Sequence, residues 1–291
     1  MTSEHLPVLL REVVEMLAPV QGGIYIDATV GLGGHSEEIV KMIGRNGRLI
    51  GIDRDEKALA RAAARLADDR VTLKKGKFSD IGTILGSLSV AEVDGVLLDL
   101  GVSMMQLRDL ARGFSFRSDE RLDMRMDAGQ VFSAWDVVNA YEEEELIRIL
   151  KEYGEEYQAP KIIRAIVTYR SRKPIDSCTE LADIIFRAVG RRGRIHPATK
   201  TFQAIRIEVN REIEELRAGL DASMRVMKDG GRLCVISYHS LEDRVVKNFI
   251  RDGAKEGRLR PLVKKPVVPD IREMRENPSS RSAKLRGAER I

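Results

Sequence analysis

The chain has 291 residues, 43% hydrophobic content and a net charge of +4, enough for one large domain or two modest ones that bury a core without staples. Its two cysteines, Cys178 and Cys234, have no second Cys or His at metal-ligand spacing, which excludes a disulfide framework and leaves no metal expected. No apolar run approaches the roughly 20 residues that span a bilayer, and the charged N-terminal stretch is unlike a signal peptide, so the expectation is a cytoplasmic protein with no membrane partner.

After an amphipathic opening helix at about Val8 to Leu17, the segments Ile24–Ala28, Arg48–Asp53, Val71–Lys75 and Asp94–Asp99 read as strands: short, β-branched or leucine-rich, and bounded by Gly or charge. Helical stretches lie between them, most clearly Glu56 to Leu66, and this alternation predicts a parallel sheet with helices on both faces. From Asp109 to about Thr199 no strand pattern appears. Helical periodicity marks Ala134–Tyr153, Pro160–Arg172 and Thr179–Val189, as in a helical insertion. A long helix is predicted from about Thr201 to Met227, with Gly230-Gly231 as its stop, followed by the apolar strand Arg232–Ser237. Four prolines (Pro261, Pro266, Pro269, Pro278) exclude long helix from the end of the chain, where Leu259–Lys264 and Ala283–Arg290 supply two last strands. Residues 244–291 carry 14 Lys/Arg against 6 Asp/Glu, a surplus of +8 that leaves −4 for the rest; this basic end is either a solvated tail or a surface for a polyanion.

The first strand runs into Asp27-Ala-Thr-Val-Gly-Leu-Gly-Gly-His35, in which Gly31, Gly33 and Gly34 let backbone approach a ligand closely. The spacing matches neither G-x-G-x-x-G, whose last glycine would fall at Ser36, nor a phosphate-binding G-x-x-x-x-G-K-[ST]. Asp53 lies 20 residues past Gly33 at the end of the second strand, where a carboxylate accepts hydrogen bonds from both ribose hydroxyls of an adenosine cofactor. NAD and S-adenosylmethionine both satisfy that placement, but Asp27 before the loop repels a diphosphate and suits an ammonium or sulfonium, favouring S-adenosylmethionine. Phe78, after the third strand, borders the adenine or is a core aromatic. Asp99 ends an apolar strand at the carboxyl edge of the sheet, where ligands sit in open parallel sheets.

Strings along nearly the whole chain resemble one family, the bacterial small-subunit ribosomal RNA (cytosine-N4)-methyltransferases. They include His5-Leu-Pro-Val-Leu-Leu10, Asp27 through Ser36, Gly51-Ile-Asp-Arg-Asp55, Leu98-Asp-Leu-Gly-Val-Ser103, Arg112-Gly-Phe-Ser-Phe116 and Leu122-Asp-Met-Arg-Met126. Tyr153-Gly-Glu-Glu156, His196-Pro-Ala-Thr-Lys-Thr-Phe-Gln-Ala-Ile-Arg206, Ser237-Tyr-His-Ser-Leu-Glu-Asp-Arg244 and Asn277-Pro-Ser-Ser-Arg-Ser282 follow in order. The resemblance implies a Rossmann-like S-adenosylmethionine-dependent methyltransferase fold (α/β) over residues 1–107 and 200–291, with an inserted helical domain over 108–199 on the substrate side. It implies methylation of the N4 amine of a cytidine in the decoding region of 16S rRNA, within the small ribosomal subunit. It places the cofactor on Gly33, Gly34, His35, Asp53, Phe78, Asp99 and Gln106. Where the family has Ser-Pro before that glutamine, this chain has Met104-Met105, which frees φ in the loop.

For the chemistry, Asp99 is the first candidate to accept a hydrogen bond from the reacting amine, with cofactor orientation as its rival role. His239 is either a proton acceptor or a structural hydrogen-bonding residue, and Tyr238 is a candidate to stack on the base. A flipped base requires a grip on flanking backbone, for which Arg191, Arg192 and Arg194 in the insertion and Lys264, Lys265 and Arg281 near the end are candidates, together with Arg170, Lys284 and Arg286. The rivals are a methyltransferase of small molecules or proteins, a non-catalytic RNA-binding protein with an adenosine pocket, and a dinucleotide oxidoreductase. The sequence is compatible with a homodimer.

Overall fold

The computed structural model describes residues 7–102, 109–191 and 195–291. The chain forms two compact units, Met1–Gly101 with Ile213–Ile291, and Val102–Glu212.

In the first unit the strands are β1 (Ile24–Asp27), β2 (Arg48–Asp53), β3 (Val71–Lys75), β4 (Val93–Asp99), β5 (Met227–Ser237), β6 (Leu259–Pro261) and β7 (Lys284–Arg290). They make one seven-stranded sheet in the order β3-β2-β1-β4-β5-β7-β6, in which β1 to β5 pair in parallel and β7 runs antiparallel to both its neighbours. The apolar runs that predicted strands are the buried centre of this sheet: Ile26, Leu49, Ile50, Val96, Leu97 and Leu98 are each 0% exposed, as expected of strands covered on both faces. Helices α1 (Leu10–Leu17), α2 (Gly34–Ile43), α3 (Glu56–Arg65) and α4 (Ile81–Ser87) fall in the first half. Strand order reverses beside β1, which has β2 on one side and β4 on the other, so a crevice opens at the carboxyl ends of β1 and β4. This is the Rossmann-like arrangement expected.

The second unit holds α5 (Ala134–Ala140), α6 (Glu143–Glu152), α7 (Ala159–Arg170), α8 (Cys178–Val189) and α9 (Ala198–Asn210) around its own core, which includes Ile149, Ile162, Leu181 and Ile185. The expected continuous helix over Ala134–Tyr153 is two helices, because Glu142 caps α6 in extended conformation. The expected long helix from Thr201 to Met227 is likewise broken, at Arg211, whose φ of 50 and ψ of 41 are left-handed. A non-glycine residue there costs roughly 1–2 kcal/mol, and no Gly or Pro announces the break. α9 therefore ends before α10 (Glu212–Val226) begins, and its apolar face (Phe202, Ala204, Ile205, Val209) packs into the inserted unit's core. The string Leu122–Met126 is tied down within that unit: the Met126 N–H donates to Asn210 Oδ1 at 2.8 Å, and Asn210 Nδ2 donates to the Met124 carbonyl at 2.8 Å. α11 (Ser240–Lys255) and α12 (Ile271–Glu276) complete the first unit, α12 being the only α-helix in the proline-rich end among the described residues, where a 3-10 turn over Pro278–Ser282 follows it. Both cysteines are free and buried, and burial pushes each thiol up to about 12.

Candidate active site

β1 delivers Asp27 to the crevice and β4 delivers Asp99. The turn after β1 is closed by Gly33, whose φ of 78 is left-handed and where a Cβ would come 2.9 Å from Leu66 Cδ1, so this position selects glycine on both counts. Asp27 is 1% exposed; its Oδ2 accepts the Ser36 hydroxyl at 2.7 Å and its Oδ1 the Thr29 N–H at 3.3 Å. Asp53, at the end of β2, accepts the Gly31 N–H on Oδ2 and the Asp55 N–H on Oδ1, both at 2.9 Å. Each of its oxygens keeps a second lone pair for a ligand hydroxyl.

Asp99 is held by two hydrogen bonds and faces His35. Its backbone N–H donates to Thr29 Oγ1 at 2.6 Å, its Oδ1 accepts the Tyr238 hydroxyl at 2.8 Å, and its Oδ2 lies 3.8 Å from His35 Nδ1. His35 is buried on the first turn of α2, with Nε2 2.9 Å from the Val8 carbonyl. A carbonyl only accepts, so Nε2 carries the ring proton, and a neutral ring turns the Nδ1 lone pair toward Asp99. Burial pushes all three carboxyls above the usual range: Asp27 upward despite His35 and Ser36, Asp53 upward despite its two backbone N–H partners, and Asp99 to about 6. Tyr238, pushed well above its ordinary value by burial and by Asp99, stays a hydroxyl donor at working pH.

Asp27, Asp53 and Asp99, all desolvated, end the strands on this side of the sheet, with His35 beside Asp99. That donor set repels a diphosphate and is complementary to a ligand bearing a positive charge, so the residues present fit the sulfonium and ammonium of S-adenosylmethionine. The carboxylate at the end of β2 fits its ribose.

Phe78 is 8% exposed and packs on α10, where a Cβ at Gly219 would come 2.4 Å from its Cδ2, while the Arg54 guanidinium stands 5.6 Å from its ring centre. Gly33, Gly34, His35, Asp53, Phe78 and Asp99 all belong to the first unit; Gln106, Arg192 and Arg194 lie outside the described residues. His239 has Glu242 as its neighbour, and both of its roles stay open. It is the N-cap of α11, its Nδ1 accepts the Glu242 N–H at 3.3 Å, and its Nε2 sits 3.2 Å from Glu242 Oε1. Tyr238 spends its hydroxyl on Asp99, and its half-buried ring packs with the core that includes Ile236 and Leu285.

Arg191, Lys264, Lys265 and Arg281 are exposed, as phosphate contacts must be. Three further basic candidates are corrected. Arg170 donates to the Val138 and Tyr141 carbonyls at the end of α5, and Arg286 and Lys284 bind Asp243 at 2.7 and 3.3 Å, so these cations are committed within the fold. Thr29, Ser36, Gly219 and the Val8 carbonyl escaped sequence reasoning. Gly219 alone carried a signal, a lone glycine inside a helical pattern, which marks a packing need.

The model of the MraW methylase family matches residues 2–291. A protein named ribosomal RNA small subunit methyltransferase H from Sulfurihydrogenibium sp. is 48% identical over 99% of both chains, and one of the same name from Persephonella marina is 50% identical over 99% of both. A solved structure titled a putative rRNA-methylase from Clostridium thermocellum aligns over 99% of both chains with 16% identity and a TM-score of 0.49.

Proposed function

Because the chain belongs to the MraW methylase family, we propose that this S-adenosylmethionine-dependent rRNA methyltransferase modifies the N4 exocyclic amine of a cytidine in the decoding region of 16S rRNA, presented within the small ribosomal subunit. The cofactor would supply an electrophilic methyl group, whose bond to sulfur breaks as the acceptor bond forms, the electron pair staying on the sulfur of S-adenosylhomocysteine as it leaves. Asp53 would hold its ribose, Asp27 and the Gly33-Gly34-His35 turn its charged end, and Phe78 would border its base.

The cytosine amine is a weak nucleophile because its lone pair is delocalised into the ring. Asp99 accepts a hydrogen bond from one of its N–H groups, localising that lone pair as the new N–C bond forms. Once nitrogen carries the methyl group it bears a positive charge, and one amine proton passes to Asp99 while its N–H electron pair returns to nitrogen. A carboxyl held at about 6 is mostly ionised at neutral pH, yet is a stronger base than an exposed aspartate. Tyr238 and Thr29 fix its position, and alignment of nucleophile and methyl in a site poor in water supplies the rest. Asp99 carries the reading: a desolvated acid, hydrogen-bonded through both backbone and side chain, at the mouth of the sheet crevice. The test is methyl transfer from labelled S-adenosylmethionine into small-subunit rRNA, isolated 30S subunits, free cytidine nucleotides and total protein. Incorporation into rRNA or subunits alone is expected; incorporation into nucleotides or protein alone contradicts it.

A further inference from the structure

Two strings that resemble the family have no part in the cofactor crevice, Arg112-Gly-Phe-Ser-Phe116 and the one that begins at His196, and the structure joins them face to face. The Phe116 and His196 rings stack with centroids 4.4 Å apart and planes 10° from parallel. Phe186 of α8 continues the series, its ring 6.2 Å from His196 at 21°. Phe202 closes the inner end edge-on against Phe116 at 5.9 Å, so the stack is anchored in the inserted unit's core and open at its outer end. That outer ring is 44% exposed, although the other side of α8 (Leu181, Ile184, Ile185) is buried. Exposed cations neighbour it in the chain, Arg187 in the last turn of α8 and Arg191 two residues past its end, and Arg117 lies 6.0 Å from the Phe116 ring centre. His196 Nδ1 accepts the Ala198 N–H at 3.2 Å, so the proton of a neutral ring is on Nε2, a donor within the stack.

We propose that Phe186, backed by His196 and Phe116, is a stacking step for an unpaired nucleobase of single-stranded RNA, with Arg187 and Arg191 on its phosphates. Near-parallel flat rings beside guanidinium groups match the π-face and the charged backbone of a nucleic acid together. An apolar protein partner would match the ring but not the cations. This deepens the rRNA reading and rests on it: the step would hold an unpaired nucleotide of the same RNA.

The test measures binding of a fluorescein-labelled 12-nucleotide oligocytidylate, and of a 12-base-pair RNA duplex, to the full-length wild type, Phe186→Ala, Phe186→Trp and Arg191→Ala, with thermal melting as a check on folding. Phe186→Ala should weaken binding of the single strand about 5- to 10-fold with an unchanged salt slope, Phe186→Trp should restore it, and the duplex should be unaffected. Arg191→Ala should lower the slope of log K against log salt by about 0.7. A folded Phe186→Ala protein that binds the single strand like the wild type overturns the proposal, as does an equal loss on the duplex or a wild type that does not bind the single strand. Methyl incorporation into small-subunit RNA is followed in parallel. Wild type that methylates no RNA sinks the functional reading, whereas normal methylation with Phe186→Ala indistinguishable from wild type sinks this inference alone.

Discussion

Replacing Asp99 with asparagine should stabilise the protein and silence it at the same time. Burial lifts this carboxyl from its ordinary 3.8 to about 6, so the fold prefers it protonated. Between those values the folded chain binds more protons than the unfolded one, and stability falls as pH rises; the contribution is full below 3.8 and is lost as pH passes 6. At ~1.36 kcal/mol per pH unit, a shift of about two units is worth roughly 3 kcal/mol at pH 7.5. With the side chain still 24% exposed, about 2 kcal/mol is the working expectation. Asparagine has no proton to lose, its carbonyl oxygen accepts the Tyr238 hydroxyl, and its amide donates toward His35 Nδ1. Thermal melting of both proteins from pH 4 to 8 reads the difference: nothing near pH 4, rising to roughly 4–8 °C above pH 7. Asp53, also raised by burial, is present in both proteins and cancels, so the difference between the curves reads Asp99 together with its influence on neighbouring Asp27. A variant no more stable than wild type at pH 7.5, or equally stabilised at both ends of the range, would refute the burial argument. Retained methyl transfer would refute the catalytic one.

Asp53→Ala removes the acceptor proposed for two ribose hydroxyls and should weaken cofactor binding by about 2–3 kcal/mol, roughly 30- to 150-fold in calorimetry; equal affinity would end that assignment. Tyr238→Phe deletes the hydrogen bond that favours ionised Asp99, so the acid limb of the rate profile should move up by about one pH unit while KM for the cofactor holds. An unmoved limb would mean that the hydroxyl does not tune Asp99. Gly219→Ala gains about 1 kcal/mol of helix propensity but places a methyl 2.4 Å from the Phe78 ring. Cofactor affinity should fall several-fold without loss of melting temperature, and unchanged affinity would show that Phe78 does not border the ligand.

What the sequence revealed has a physical pattern. Strand cores such as Val96–Leu98 are legible because burial on both faces demands an unbroken apolar run. Acids ending those runs, Asp27, Asp53 and Asp99, stand out because nothing in packing explains them. Partnerships across the chain leave no local trace. Tyr238 reads as an exposed aromatic until its hydroxyl is found on an acid 139 residues earlier, and Arg286 reads as a basic-tail residue until it meets Asp243. The break at Arg211 was invisible because left-handed backbone without glycine is imposed by packing rather than announced by composition.

The proposed methyl acceptor is one atom, an exocyclic cytosine nitrogen. Small subunits from cells lacking this protein, treated with it and S-adenosylmethionine carrying a deuterated methyl group, are digested to nucleosides and separated by mass spectrometry against standards. The label should appear in N4-methylcytidine and should vanish with Asp99→Ala; label in 5-methylcytidine, in a ribose-methylated nucleoside or in another base would contradict it.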